Sequence, residues 1–261
     1  MLPKKSLGQH FLKSSAVVSA MVAAAKICPE DAVLEVGPGK GILTGALLLK
    51  ARRVVAVEKD DGLIDVLKQR FSHEIAAKKL ILVHDDILRF DPSSYKLEAG
   101  SWKLVANIPY YITGLFLKYF LGHEAAPSCM VLLVQKEVAE RIVARDGKES
   151  ILSISVKAYG TPRYLKTVRS QDFSPQPKVD SAILTIENIS REFFDTIDED
   201  DFFTLVKTGF GSKRKFVISN LKKLFPESQG VCAAAGIDPK ARAEELSLHD
   251  WKNILITTND S

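Results

Sequence analysis

The sequence predicts an α/β protein with a mostly parallel sheet covered by helices, followed by a small all-α domain. Three observations predict it. Short apolar runs alternate with helical periods over the first half of the chain, the pattern of buried parallel strands joined by crossover helices. Residues 188–201 then hold six acids and one arginine, a break in composition that suits a boundary. From Phe202 onward the periods look helical. On this reading residues 1–190 form the α/β domain and residues 191–261 the helical one.

The elements follow in order. Ser14-Ser15 can cap a helix over 16–26. Residues 32–36 read as a buried strand ending in a glycine turn, and a helix follows over about 41–50. A strand at 53–57 precedes a helix over about 60–71, with Leu63, Ile64 and Leu67 on one face. Strands are expected at 80–83, 103–106 and 130–134, and a helix at 113–121. Beyond Ile151 the pattern changes to strands without obvious helices, at 154–158, 164–168 and 182–186, which fits an antiparallel hairpin on the sheet edge. In the last third, helical periods cover 202–210, 213–224 and 248–256.

Composition narrows the class. At 261 residues, 46% hydrophobic and 26% charged, the chain is not disordered, collagen-like or a coiled coil. Its three cysteines, Cys28, Cys129 and Cys232, form no C-x-x-C pair, and the odd number argues against a disulfide framework. A reducing cytoplasm is the simplest expectation. No apolar run reaches the ~18–20 residues of a membrane span; the nearest, 16–28, is interrupted by Lys26.

Gly37-Pro38-Gly39-Lys40-Gly41 joins the first long strand to its helix. Such glycines let backbone approach a ligand and turn helix-terminal N–H groups toward it. Glu58 ends the next strand, where an acid can accept both hydroxyls of a ribose. A dinucleotide fingerprint wants G-x-G-x-x-G, but position 42 is Ile42. G-x-G-x-G suits S-adenosylmethionine, which has no pyrophosphate to seat. Asp86, after the third strand, is placed to accept from an adenine amino group, and its neighbour Asp85 reads as solvated.

Asn107-Ile108-Pro109-Tyr110 follows the fourth strand and so reaches the same carboxyl edge. An exocyclic adenine amine is a poor nucleophile because its lone pair is delocalised into the ring. Two acceptors aimed at the amino hydrogens, the Asn107 side-chain oxygen and the Ile108 carbonyl, can draw that pair out of conjugation. Pro109 rigidifies the turn, and Tyr110 can stack on a flipped-out base. The methylated ammonium is acidic, so no strong base is required, and no metal ion is needed.

These residues, in this order, resemble the rRNA adenine N6,N6-dimethyltransferases, and the resemblance covers nearly the whole chain. Lys5-Ser6-Leu7-Gly8-Gln9-His10-Phe11-Leu12 is similar to that family's N-terminal cofactor-covering motif. Phe173-Ser174-Pro175-Gln176-Pro177-Lys178-Val179-Asp180-Ser181-Ala182 is similar to its Phe-x-Pro-x-Pro-Lys-Val-Asp-Ser segment. The resemblance implies a Rossmann-like S-adenosylmethionine-dependent methyltransferase domain. It places cofactor contacts at His10, Leu12, Gly37, Gly39, Glu58, Asp86 and Asn107, and sets Phe173 against the target base opposite Tyr110. One branch of the superfamily dimethylates two adjacent adenines in the 3′-terminal hairpin of small-subunit rRNA, in ribosome assembly. The other dimethylates one adenine of large-subunit rRNA and confers macrolide resistance. Gly37-Pro38-Gly39, Asp180-Ser181-Ala182, Lys213-Arg214-Lys215 and Gly236-Ile237-Asp238-Pro239 favour the small-subunit branch. Glu149-Ser150-Ile151-Leu152-Ser153 departs from it, where Tyr-Gly-x-Leu-Ser is expected. A non-catalytic rRNA-binding assembly factor and a DNA adenine methyltransferase are the remaining rivals.

Charge supports RNA. The net charge of +4 conceals separated patches. Residues 1–13 and 157–169 carry three and four basic residues and no acid. Residues 205–223 carry Lys207, Lys213, Arg214, Lys215, Lys222 and Lys223 and no acid. Such stretches can follow a phosphate backbone, and the expected partner is small-subunit rRNA within a pre-ribosomal particle, bound by a monomer.

Overall fold

The computed structural model describes residues 9–259. In chain order its elements are β1 (Phe11–Leu12), α1 (Ser15–Ala24), β2 (Ala32–Val36), α2 (Ile42–Leu48), β3 (Arg53–Glu58), α3 (Asp61–Arg70), α4 (Ser72–Ala76), β4 (Leu80–His84), β5 (Trp102–Asn107), α5 (Thr113–Leu121) and β6 (Cys129–Gln135). There follow α6 (Lys136–Ile142), α7 (Ile151–Lys157), β7 (Thr161–Val168), β8 (Phe173–Ser174), β9 (Ser181–Glu187), α8 (Glu199–Gly209), α9 (Val217–Leu221), α10 (Ser228–Ala234) and α11 (Leu248–Asn259). The chain divides into two compact units, residues 1–139 with 161–189, and residues 140–160 with 190–261.

The first unit holds a seven-stranded sheet in the order β4-β3-β2-β5-β6-β9-β7. β4 through β6 run parallel, and β9 and β7 add antiparallel at the edge. The parallel strands form where the sequence offers apolar runs with no polar face. All five residues of β2 are buried, as expected for a strand covered on both sides. Helix starts are set by side chains: Ser14 accepts from the Val17 N–H at the head of α1, and Asp60 accepts from Gly62 at the head of α3, each satisfying a donor the helix leaves unpaired. From β2 the chain winds through β3 to β4, then returns to the other side of β2 as β5. That reversal makes a crevice between the carboxyl ends of β2 and β5, where open α/β sheets bind ligands. Gly37 and Asn107 stand on its two sides. A second, two-stranded sheet pairs Phe11 with Ser174 and Leu12 with Phe173.

The second unit is helical. Here one sequence expectation is corrected: residues 154–158 are not a strand but the end of α7 and its C-cap, Ala158. Ile-rich composition favours strand locally, yet Ser150 caps Ser153 and Ser153 reciprocally binds the Ser150 N–H. This capping box starts a helix whose Ser153, Ile154 and Val156 are buried, and tertiary burial overrides the local preference. The edge pair is therefore β9 with β7 alone. A second correction concerns 213–224, where the helix is only Val217–Leu221. The acidic stretch is also more than a linker: Asp198 caps α8, and Glu199, Asp200 and Asp201 fill its first turn, where negative charge complements the helix dipole.

Candidate active site

At the crevice a cavity is lined by Gln9, His10, Phe11, the 36–39 turn, Glu58, Lys59, Asp85, Asp86 and the whole of Asn107-Ile108-Pro109-Tyr110. Most residues singled out in the sequence are thus brought together here. The glycine turn is shaped for close approach. Gly37, Gly39 and Gly41 have φ of +65°, +57° and +80°, backbone that L side chains rarely adopt. A Cβ on Gly39 would lie 3.0 Å from Phe11 Cδ1, so only glycine leaves room for the β1 segment to cover the turn. This cradle fits the adenosyl ligand that the sequence implies.

Glu58 ends β3 almost fully buried. Its Oε1 accepts from the Lys59 and Asp60 N–H groups, at 2.9 Å each, and its Oε2 from Gly39 N–H at 3.2 Å. Burial raises its pKa, while these backbone donors pull it back down. A carboxylate offers about four lone-pair positions, so Oε2 keeps capacity for a hydroxyl. Asp86 accepts Lys59 Nζ at 2.8 Å and the Leu88 N–H at 3.1 Å. The Lys59 ammonium, chiefly, holds its pKa below the usual carboxylate range, and the group is anionic. Asp85, expected to be merely solvated, lines the cavity as well and accepts the Asp86 N–H at 2.7 Å.

Asn107 donates its Nδ2 to the His10 carbonyl at 3.1 Å. A carbonyl can only accept, so the amide nitrogen must face it and Oδ1 is left free to accept. The Tyr110 ring stacks against His10, with centroids 6.0 Å apart and planes at 21°. Its hydroxyl shares a 2.7 Å hydrogen bond with Ser181 Oγ, and Thr113 Oγ1 closes the turn onto the Tyr110 carbonyl. His10 Nδ1 meets the Pro175 carbonyl at 2.7 Å. The Asn-Ile-Pro-Tyr turn is therefore held from two distant parts of the chain, by His10 and by Ser181.

Two expected site residues do not line the cavity. Phe173 is 2% exposed and packs into the core, and Leu12 is likewise buried. Their pairing in the β1–β8 ladder turns both side chains inward, and Phe11 and His10 face the cavity instead. Lys5 to Gly8, the start of the N-terminal motif, lie outside the described residues. Sequence reasoning missed Phe11 and Ser181 as parts of the site. Both sit within quoted motifs, but only strand register shows which side chain faces the crevice.

In the second unit Lys207, Lys213, Arg214, Lys215, Lys222 and Lys223 are all exposed. Buried Asn220 donates to the Gly209 carbonyl at 2.6 Å and the Ser212 carbonyl at 3.2 Å. It thus ties down the base of the Lys213–Lys215 turn. The 157–169 stretch is less uniform than its composition. Lys157 pairs with Glu149 and Arg163 with Glu187, while Lys166 and Arg169 are exposed.

The family model for ribosomal RNA adenine dimethylase matches residues 2–260. The chain is 42% identical over 257 residues to ribosomal RNA small subunit methyltransferase A of Dehalococcoides mccartyi, covering 97% of this chain and 87% of that one. It is 38% identical to the protein of the same name from Thermosynechococcus vestitus, covering 95% and 94%. Among solved structures, a dimethyladenosine transferase from Plasmodium falciparum superposes with a TM-score of 0.81 at 27% identity, over 96% of this chain and 98% of that one. The 23S rRNA methyltransferase ErmE shares the fold, with a TM-score of 0.78 at 23% identity over 95% and 99%.

Proposed function

From the premise that the chain belongs to the ribosomal RNA adenine dimethylase family, we propose how it works on its RNA. It is an rRNA adenine dimethyltransferase of the small subunit, with S-adenosylmethionine as methyl donor. The fold is the Rossmann-like methyltransferase fold. The finer reading is that two adjacent adenines in the 3′-terminal hairpin each receive two methyl groups at N6, within a pre-ribosomal small subunit, from a monomeric cytoplasmic enzyme. The observation that supports methyl transfer to an adenine amine is the anchoring of Asn107 Nδ2 on the His10 carbonyl, which leaves Oδ1 as an oriented acceptor at the crevice.

When bound, S-adenosylmethionine supplies an electrophilic methyl group on a sulfonium. Gly37, Gly39, Glu58, Asp86, His10 and Asn107 would hold it, with Leu12 supporting the covering segment from the core. Asn107 Oδ1 and the Ile108 carbonyl orient the adenine amine and restore its lone pair. Tyr110 stacks on the base, and Pro109 fixes the turn between them. Phe173 acts from beneath, by packing the β1–β8 pair that carries His10. Positioning supplies most of the rate, and the proton leaves the acidic methylated ammonium to water. Lys207, Lys213, Arg214, Lys215, Lys222 and Lys223 grip the RNA backbone.

The test is mass spectrometry of rRNA from cells with and without the protein. The expected result is loss of N6,N6-dimethyladenine from the small-subunit 3′ hairpin alone. Loss from large-subunit rRNA would establish the resistance-type activity instead. Unchanged rRNA, together with tight binding of purified protein to small subunits, would make it a non-catalytic factor.

A further inference from the structure

We propose that the exposed face of the turn and helix after Tyr110 is a stacking shelf for the nucleotide next to the target adenine. The proposal rests on the adenine-dimethylation reading above and concerns how that site holds the strand. Its starting point is apolar surface that folding does not need. α5 turns Phe116, Leu117, Phe120 and Leu121 into the core. Yet Tyr111 is 64% exposed and Leu115 61%.

Position makes this surface specific. Tyr111 lines the mouth of the cavity beside Pro109, Tyr110 and Ile112. Tyr111 sits in the 3-10 turn Tyr110–Ile112 that leads directly into α5, and Gly114, Leu115 and Lys118, spaced three and four apart, share one face of α5. Gly114 is exposed, and a Cβ built on it would meet nothing within 4 Å. An aromatic ring and a leucine thus flank a bare stretch of backbone, wide open to solvent. Cations lie at both ends. Lys118 is exposed at one. At the other, exposed Arg89 directly follows Leu88, which lines the same cavity as Tyr111.

The chemistry fits single-stranded RNA. Drawing an adenine out of its stack strips its neighbour of a stacking partner, a cost of a few kcal/mol that a site must offset. An aromatic shelf beside the target pocket replaces the lost partner, and stacking accepts any base because every base has a π-face. Phosphates on either side of that base suit Lys118 and Arg89. Where two adjacent adenines are substrates, the shelf holds one while the other is in the cavity.

The test is a cycle between protein and RNA, read in binding. A synthetic RNA hairpin with two adjacent adenines is compared, by fluorescence anisotropy with S-adenosylhomocysteine present, with hairpins made abasic on either side of the target. Wild type should lose about tenfold in affinity on one abasic hairpin. Tyr111→Ala should lose about as much on the intact hairpin and show almost no further loss on the abasic one. Leu115→Ala should lie between, and Tyr111→Phe should match wild type. Both positions are exposed, so neither substitution opens the core. An abasic penalty that is equal in wild type and Tyr111→Ala overturns the proposal and leaves the patch to a protein surface. Failure of the functional reading is distinguishable, since it appears as no methyl transfer by the wild type.

Discussion

Replacing Asn107 by Ala tests the centre of the site. The substitution removes the Nδ2 bond to the His10 carbonyl and the Oδ1 acceptor together. A single bond of this kind contributes about 1 kcal/mol to stability. His10 lines the cavity and the bond is only partly buried, so water can replace the lost donor and the fold should survive with a small fall in melting temperature. The chemical cost is larger. Losing one preorganised polar group at a reacting centre typically costs ~10²–10³-fold in rate, and here it removes one of the two acceptors that make the amine nucleophilic. RNA affinity should change little, because on the proposed reading phosphate contacts from the basic residues of the second unit dominate it. The assay is single-turnover transfer of labelled methyl groups to unmethylated small subunits, with filter binding and thermal melting on the same samples. Activity within threefold of wild type refutes the role of Oδ1. An equal loss of binding and transfer refutes the separation between grip and chemistry.

Other perturbations have equally defined outcomes. Glu35, on β2, is fully buried, and desolvation pushes its carboxyl up to about 8. Neither of its oxygens has a hydrogen-bond partner among the described residues, although neighbouring Thr44 pulls the pKa somewhat back down. The folded protein therefore holds a proton that the unfolded chain releases above about 4.5, so stability falls as pH rises from there to about 8 and levels off beyond. Melting curves across this range should slope steeply for wild type and much less for Glu35→Gln, and parallel profiles would disprove the assignment. Replacing Lys213, Arg214 and Lys215 together by Ala should lower the salt slope of RNA binding, log K against log[salt], by about 2–3, with stability within ~0.5 kcal/mol; an unchanged slope would remove this turn from the RNA interface. Gly41→Ala should destabilise by about 2–4 kcal/mol, because φ is +80° and the new Cβ would sit 2.5 Å from Phe71 Cε2; denaturant titration measures it, and a loss below 1 kcal/mol would mean that the loop relaxes freely.

Much of the catalytic unit was legible before any coordinates. The buried strands announce themselves as apolar runs, and the first long helix by its capping residue Ser14, which acts over three residues. The glycine turn and Asn-Ile-Pro-Tyr were legible because their chemistry is carried within five residues. Residues 154–158 read as a strand because their isolated composition is strand-like, while the helix is settled by Ser150–Ser153 capping and by burial. Phe173 lies away from the cavity wall for a related reason. A motif names residues, but strand register determines which of them face the crevice.

The sequence by itself determined the α/β class, the succession of strands and helices, the composition of the ligand turn and the separation of basic from acidic stretches. These follow from local periodicity and residue chemistry, which need no knowledge of the remote chain. Only the tertiary structure decided that His10 would anchor Asn107 across 97 positions and that Ser181 would hold Tyr110 across 71. It also buried the Glu35 carboxyl and left Tyr111 bare beside the cavity, with Leu115 exposed four residues on. Each of these depends on strand order and pairing, and so on how burial of the whole apolar surface is shared among elements far apart in the chain.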